Sequence, residues 1–151
     1  MNSLIAILFL LTSASPAGNM RCVIPGTPTQ ELSRATAVFS GKVISRDYVA
    51  EEMPSGETRR RLVVKISVER VWKGDIYTDE TMFTSEVHLP NGLMETWAED
   101  FYFQDDRQYL IYAFGKRNHL STNACTRSRE LSKAEADLKE LGYGHEPNIR
   151  N

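Results

Sequence analysis

The chain has few cysteines, few histidines and no long apolar run. Of its 151 residues, two are cysteines and three are histidines. Its apolar run at residues 4–11 is far shorter than the roughly 20 residues that a permanent transmembrane helix needs. The net charge at neutral pH is −2, so neither sign dominates. We therefore expect no stable membrane anchor and no partnership with nucleic acid.

Motifs for catalysis and metal binding are also missing. The histidines lack a His or Cys neighbour at the spacing of metal ligands: His88, His119 and His145. No serine lies in a Gly-x-Ser-x-Gly motif. The acidic pairs at residues 99–100 and 105–106 lie in or near predicted turns, where solvated loops explain them better than acid-base chemistry. We expect no enzymatic activity, no bound metal and no cofactor.

The N-terminus has the pattern of a secretory signal peptide. Eight uncharged apolar residues, 4–11, precede a run of small residues that ends at Gly18, although no Lys or Arg precedes the apolar run. We predict a signal peptide over residues 1–17 that is cleaved near residues 14–19. The product would be exported to a periplasmic or extracellular location. The alternative is a buried N-terminal strand or helix.

Export changes what the two cysteines mean. In an oxidising compartment two cysteines allow one intrachain bridge, between Cys22 and Cys125. Such a bridge would close almost the whole mature chain, and chain entropy gives a loop of about 100 residues up to roughly 4 to 5 kcal/mol. The alternative is a pair of free, buried thiols.

The first half of the mature chain predicts one helix and two strands. Thr27, Pro28 and Gln30 have the spacing of a capped helix start, and the helix would end near Arg34. Alternation predicts strands over residues 37–44 and 62–68, with Trp72 on the parity of the second strand's apolar face. The polar residues 45–60 contain a turn signal and predict a mobile loop. The apolar members of these alternations and of residues 109–114 predict the core: Phe39, Val43, Val64, Ile66, Val68 and Ile111.

The second half predicts further strands and a closing helix. Strands are expected over residues 81–89, 93–103, 109–114 and 119–122, with a tight turn at Asn91-Gly92. Ser132 and Glu135 have the spacing of a capping box, and Gly142 would end the helix. A flexible tail over residues 143–151 follows. We predict a mostly β fold: a small closed OB-fold-like antiparallel barrel with a short N-terminal helix and a C-terminal helix.

Five segments form an ordered set along the mature chain: Cys22-Val23-Ile24-Pro25, residues 37–43, Val71-Trp72-Lys73-Gly74, residues 109–113 and residues 120–127. This set resembles the netrin-like domains, and among them the N-terminal barrel of tissue inhibitors of metalloproteinases and their small bacterial relatives. The resemblance implies one netrin-like OB-fold domain over residues 20–142. It also implies that Cys125 is the natural partner of Cys22.

Animal inhibitors of this family begin with Cys-x-Cys, and the amine and carbonyl of the first residue chelate the zinc of the protease. In this chain Cys22 corresponds to the second of those cysteines, and Met20 stands where the chelating cysteine would be. The resemblance implies an exported protein-binding module, with protease inhibition as a candidate activity. Its partner would be a protease or another extracytoplasmic protein. The predicted partner-binding residues, here called the ridge, are Met20, Arg21, Cys22, Val23, Ile24 and Pro25.

A second interpretation is a structural or accessory envelope domain, or a small-ligand-binding OB-like barrel, without inhibitory activity. The basic run at residues 59–61 on such a barrel would suit single-stranded nucleic acid. The net charge and the export signal favour a solvated strand start instead. The mature N-terminus separates the two main interpretations. A start at or next to Cys22 favours inhibition, whereas a longer overhang favours the second.

Overall fold

The computed structural model of the protein describes residues 22–150. The predicted signal peptide, residues 1–17, and the ridge residues Met20 and Arg21 lie outside the described residues. Strands account for 49% and helices for 13% of the structure, so the protein is mostly β, as the sequence predicts. Within the described residues, no helix is both long enough and apolar enough to cross a bilayer.

Between residues 22 and 150, the structure contains seven strands and two α-helices. The helices are α1 (Pro28–Arg34) and α2 (Glu135–Leu141), and a short 3-10 helix, Leu131–Lys133, comes before α2. The strands are β1 (Ala37–Glu52), β2 (Thr58–Lys73), β3 (Asp79–His88), β4 (Met94–Glu95), β5 (Gln108–Lys116), β6 (His119–Ser121) and β7 (Arg129–Glu130). The predicted short N-terminal helix and C-terminal helix are therefore both confirmed.

Five of the strands pair in a ring. The order is β1-β2-β3-β6-β5, and β5 returns to β1 through pairs that run from Ala37 with Ala113 to Lys42 with Gln108. The predicted antiparallel pairing holds for four of the five neighbouring pairs of the ring and fails for one, because β3 and β6 run parallel at Met82 and Leu120. Strand directions cannot alternate around a ring with an odd number of members. One parallel pair is therefore unavoidable once the other four pairs are antiparallel.

The ring is packed on its inside and on one outer face. All six predicted core residues are buried inside the ring: Phe39, Val43, Val64, Ile66, Val68 and Ile111. A second cluster lies between the ring and the two helices, where Val38, Leu110 and Tyr112 meet Ala134 and Leu138. The helices thus cover an outer face of the ring, and apolar burial on both sides of β1 and β5 holds the layers together.

The predicted mobile loop at residues 45–60 is wrong, because β1 and β2 extend through it as a long hairpin. The two strands stay paired out to Glu52 and Thr58, and the turn lies at residues 53–57, where the turn signal stands. Side chains of the hairpin pair across the strands. Glu51 accepts hydrogen bonds from Arg59 and Arg61, at 2.8 Å and 2.7 Å. Polar residues therefore form strands here by pairing with one another at the surface.

Register shifts in the β1–β2 pair change which residues face the interior. Shifts occur near Phe39 and Ser40, so Val71 is buried in the ring while Trp72 packs with the helices. The expectation that Trp72 shares a face with Ile66 is therefore wrong. Its indole Nε1 donates a 2.8 Å hydrogen bond to the carbonyl of Gly142. A bulge inverts the alternation that follows it, because the side-chain period of a strand is two.

The segment after β3 departs most from the predicted strands. A turn at Gly92, with φ of 81°, is present as predicted. The predicted strand over residues 93–103, however, shortens to β4, because the chain turns again where the amide of Asp100 bonds to the carbonyl of Trp97. Residues 96–107 form a connection on the surface of the ring. Phe101 and Phe103 anchor it to the core through edge-to-face contacts with each other and with Tyr109.

The C-terminal region has a different helix start from the predicted one. Ser132 lies in the 3-10 helix, and α2 begins after Ala134 with no side-chain cap, so the predicted capping box is absent. Gly142 ends α2 at φ of 74°, as predicted. The sequence predicts a flexible tail over residues 143–151. In the structure, His145 makes two backbone hydrogen bonds with Val71, and the backbone of Asn148 bonds to that of Ile76 and Thr78.

Candidate functional site

The described part of the ridge, residues 22–25, is tied to the ring by a disulfide. Cys22 and Cys125 are bonded, with their Cα atoms 5.1 Å apart and 103 positions apart in the chain. The predicted pairing is therefore confirmed. Since Cys125 follows β6 closely, the bridge fixes the start of the ridge against the ring.

Two large apolar side chains of the ridge face solvent. Val23 is 86% exposed and Ile24 is 89% exposed. Their neighbour Pro25 is half-buried and restricts its own backbone φ. The ridge therefore presents an apolar edge on a backbone that the disulfide holds at one end.

Hydrogen bonds fix the other end of the ridge at Gly26. The carbonyl of Gly26 accepts a 2.9 Å hydrogen bond from Nη1 of Arg127, and its amide donates a 2.9 Å bond to the Glu31 carboxylate on α1. Thr27 and Gln30 then form the predicted capping box of α1. The described part of the ridge, residues 22–25, thus runs between a covalent bond and a polar clamp.

The clamp extends to a buried carboxylate on α2. Asp137 is fully buried and accepts hydrogen bonds from Nε and Nη2 of Arg127, at 2.7 Å and 2.6 Å, and from the hydroxyl of Tyr112 at 3.1 Å. Burial alone would raise the pKa of Asp137. The hydrogen bonds from Arg127, with the positive charges of Arg129 and Arg127, outweigh burial and hold that pKa below its usual range. Burial and the charge of Asp137 raise the pKa of Tyr112.

Two distant segments of the chain meet beside the disulfide. The amide of Ala124 donates a 2.7 Å hydrogen bond to the carbonyl of Glu99, and Asp100 forms an isolated bridge with Asn123. The amide of Cys125 bonds to the side-chain oxygen of Asn123 at 2.9 Å. Residues 96–100 and 122–127 therefore meet next to the ridge, although the sequence places them more than twenty positions apart.

A cleft of about 450 Å³ opens between these segments and the outer surface of the ring. Trp97 forms one wall and is 69% exposed. The floor includes Phe83, whose ring stacks on that of His119 at 3.9 Å, and Phe114. Glu99 and Asp100 also line it. A surface cleft of this size, with aromatic walls and a few polar groups, is typical of binding sites.

The arginines at residues 59–61 belong to the hairpin. Arg59 and Arg61 both pair with Glu51, and the guanidinium of Arg60 lies 5.5 Å from the ring centre of Tyr48. The hydrogen bond from Arg61 is the main cause that lowers the pKa of Glu51 to about 2. Two arginines of the basic run thus share one carboxylate of the opposite strand, and the third lies over an aromatic ring.

The histidines do not converge in the structure. His119 stacks on Phe83, His88 contacts the ring of Tyr48, and His145 lies in the C-terminal segment. In the described part of the chain, no three His, Cys, Asp or Glu side chains come together in an arrangement that would hold a metal ion.

Comparison with protein-family models and with curated proteins finds no match to this chain. The sequence predicts the ridge but not three side chains from distant segments. Arg127 bonds to Gly26 next to the ridge, Asp137 bonds to Arg127, and Trp97 lines the cleft. For Asp137 a signal existed, since an acidic residue stands within the apolar stripe of the predicted helix.

Proposed function

We propose that the protein is an exported protein-binding module, similar to tissue inhibitors of metalloproteinases, which contacts a protease or another extracytoplasmic protein through the ridge. One observation carries the proposal: Val23 and Ile24 are exposed on a backbone held at both ends. Exposed apolar side chains favour contact with another protein. A rigid edge also loses little conformational entropy when it docks.

We also propose that the fold is the OB-type barrel of netrin-like domains, over residues 20–142. The ring order β1-β2-β3-β6-β5 and the single parallel pair support this assignment. The helices at the two ends of the domain and the Cys22–Cys125 bridge support it as well. The interior is packed with side chains, so a small ligand of the second interpretation would have to bind on the outside.

The proposed contact does not use zinc chelation by the N-terminal amine. Chelation requires a free amine at Met20, two residues before Cys22, and hence cleavage after Asn19. Signal cleavage prefers small side chains, which Ala14 and Ala17 offer. We expect the mature chain to begin between Ser15 and Asn19, with peptide bonds where an amine would meet the zinc. N-terminal sequencing of the exported protein tests this start.

Titration against purified zinc endopeptidases tests the mechanism. We expect no inhibition of the chelating kind from the natural mature form. A form that begins at Met20 is the matched comparison. Nanomolar inhibition that disappears when one residue is added before Met20 would restore the chelation mechanism.

Ridge variants test the contact surface. Affinity capture from the periplasm or medium of the producing cell, followed by mass spectrometry, supplies candidate partners, which are then purified and titrated. We expect the double variant Val23→Ser/Ile24→Ser to bind a true partner at least about tenfold more weakly, a loss of about 1.4 kcal/mol. Leu93→Ser is the control, since Leu93 is exposed in the β3–β4 turn. Equal binding by wild type and the ridge variant would instead support the structural or accessory interpretation.

A further inference from the structure

We propose that the cleft beside the ridge binds the cationic side chain of an Arg or Lys from the protein partner. That the cleft binds a cation does not depend on the proposed function. That the cation belongs to a protein partner does rest on it.

The walls of the cleft offer aromatic faces to a ligand. Trp97 is mostly exposed, and its backbone amide is held by a 3.2 Å hydrogen bond from its N–H to the hydroxyl of Ser85. Phe114 and the stacked rings of Phe83 and His119 line the same cleft. Cations are attracted to the face of an aromatic ring, and to that of tryptophan most strongly. A guanidinium is planar and stacks on such faces better than a compact ammonium.

The charge of the cleft is negative. Glu99 and Asp100 both line it. The Asp100 carboxylate accepts one long hydrogen bond, from the amide of Ser85 at 3.3 Å, and the Glu99 carboxylate makes none with the described residues. Both carboxylates therefore keep acceptor capacity for a donor that enters the cleft.

Among the described residues that line the cleft, the positively charged side chain is that of Arg61, and its guanidinium is already hydrogen-bonded. Its Nε and Nη2 donate to the carboxylate of Glu51, at 2.7 Å and 3.0 Å, and its Nη1 donates to the carbonyl of Thr84 at 2.7 Å. The guanidinium of Arg61 is thus turned towards Glu51, which it shares with Arg59. Counted together, Arg61, Glu99 and Asp100 give the lining of the cleft a net charge of −1, which favours a cation over an anion.

The cleft is connected to the ridge by covalent and hydrogen bonds. Asn123 lines the cleft, its side chain accepts a hydrogen bond from the amide of Cys125, and Cys125 is bonded to Cys22. A protein seated on Val23 and Ile24 would therefore have its neighbouring side chains near the mouth of the cleft. This position favours a side chain of the partner over a free organic cation.

Heteronuclear NMR of the oxidised mature chain tests the proposal with defined probes. The probes are propylguanidinium, a blocked glycine pentapeptide with a central arginine, the same peptide with a central leucine, and butyrate. We expect the guanidinium and the arginine peptide to shift the signals of Trp97, Asp100 and Asn123 in a saturable manner. The arginine peptide should also shift Val23 and Ile24. The leucine peptide and butyrate should not saturate.

Variants of single charges locate the site. Asp100→Asn and Glu99→Gln should each weaken binding of the arginine peptide by several-fold to tenfold, the scale of one charge-assisted hydrogen bond. Glu52→Gln is the matched control, because it removes the same charge from the exposed end of β1. Unchanged shifts in the spectra of the variants away from the cleft would show that they remain folded.

Three results would overturn the proposal. The first is no saturation with either cation, and the second is equal binding of the leucine peptide. The third is binding of propylguanidinium with exclusion of the arginine peptide, which would assign the cleft to a free organic cation. The ridge variant Val23→Ser/Ile24→Ser separates the two proposals. Cation binding should persist in that variant, so loss of partner binding there leaves the cleft proposal standing.

Discussion

Asp137 stands at a position of α2 where an apolar side chain would be expected. It lies between Ala134 and Leu138, both of which pack in the cluster under the helices, and it is fully buried. Hydrogen bonds from Arg127 and Tyr112 compensate the burial of its carboxylate. Arg127 also donates a hydrogen bond to the carbonyl of Gly26. One buried ion pair therefore joins α2, β5 and the base of the ridge. Buried pairs of this kind are costly to break, since the remaining partner is left charged and unpaired.

We expect Asp137→Asn to reduce the free energy of unfolding by about 3 to 5 kcal/mol at neutral pH. Because the folded-state pKa of Asp137 is lowered, the stability from its charge is fully present above the unfolded pKa. It is lost as the pH falls through about 4 towards the folded value. Urea unfolding of wild type and variant between pH 7 and pH 3 measures this difference. Glu135→Gln, on the exposed side of α2, is the control and should change stability by less than about 0.5 kcal/mol.

Two neighbouring residues of β2 should contribute very different amounts to the stability of the fold. Ile66 is buried inside the ring, whereas Lys65 points outward and is exposed. Ile66→Ala should cost about 2 to 5 kcal/mol, through lost transfer energy and the cavity left behind. Lys65→Ala should stay within about 0.5 kcal/mol. Comparable losses for the two variants in urea melts would contradict the assignment of the buried face.

At the scale of the elements, the regular alternations predicted buried faces well and strand lengths poorly. Val64, Ile66 and Val68 are buried as the period of two requires. The polar residues 45–60 show no apolar alternation, so the sequence did not predict that they form the outer half of the hairpin. Ion pairs between Glu51 and two arginines stabilise that half. Hydrophobic patterning reports burial, and the outer hairpin is held by pairing between exposed residues.

The displaced position of Trp72 can be traced to one register shift of the β1–β2 pair. The shift between Ser40 and Gly41 inverts the alternation of β2 between Val68 and Val71, so Trp72 no longer shares the side of Ile66. Gly41 lies at this shift, and a Cβ there would collide with the carbonyl of Ser67 and the side chain of Ile66. A glycine inside a strand signals a close approach of this kind, although it does not reveal which later residues change sides.

The two predicted helix starts provide a matched pair for stability measurements. Thr27 accepts a hydrogen bond from the amide of Gln30 and caps α1, whereas Ser132 makes no cap to α2. Thr27→Ala should therefore cost about 1 kcal/mol, the usual value of an N-cap. Ser132→Ala should lower the free energy of unfolding by about 0.3 kcal/mol at most. A larger loss at Ser132 in thermal melts would show that a capping box forms there after all.

At the scale of the whole molecule, the sequence predicted the ridge as a contact surface but not the side chains that support it. The Cys22–Cys125 pairing could be predicted because two cysteines allow only one intrachain bridge. The clamp and the cleft could not be predicted, because Arg127, Trp97 and Phe83 come from separate parts of the chain. Ring closure brings them together, and closure depends on long-range pairing such as that of β3 with β6. Local patterns carry no information about such pairing.

Loss of the disulfide should destabilise the whole domain. We expect Cys125→Ser to lower the free energy of unfolding by about 2 to 5 kcal/mol. Cys22→Ser should have a similar effect, and the double variant should cost little more than either single one, since all three remove the same bond. In the wild-type protein, alkylation after denaturation without reductant should label neither cysteine. Labelling of both would contradict the bridge.

The same bridge determines how the molecule responds to a mechanical pulling force. A force applied between its two ends passes through the sulfur atoms, because Cys22 and Cys125 are covalently joined while 103 positions apart. Among the described residues, only those beyond Cys125 can then be drawn out, roughly 25 residues or about 85 Å of contour length. The strands between the two cysteines stay shielded, and reduction would release about 350 Å more. A partner that pulls on the ridge of the oxidised protein therefore loads the disulfide at one end of the ridge and the hydrogen bonds of Gly26 at the other.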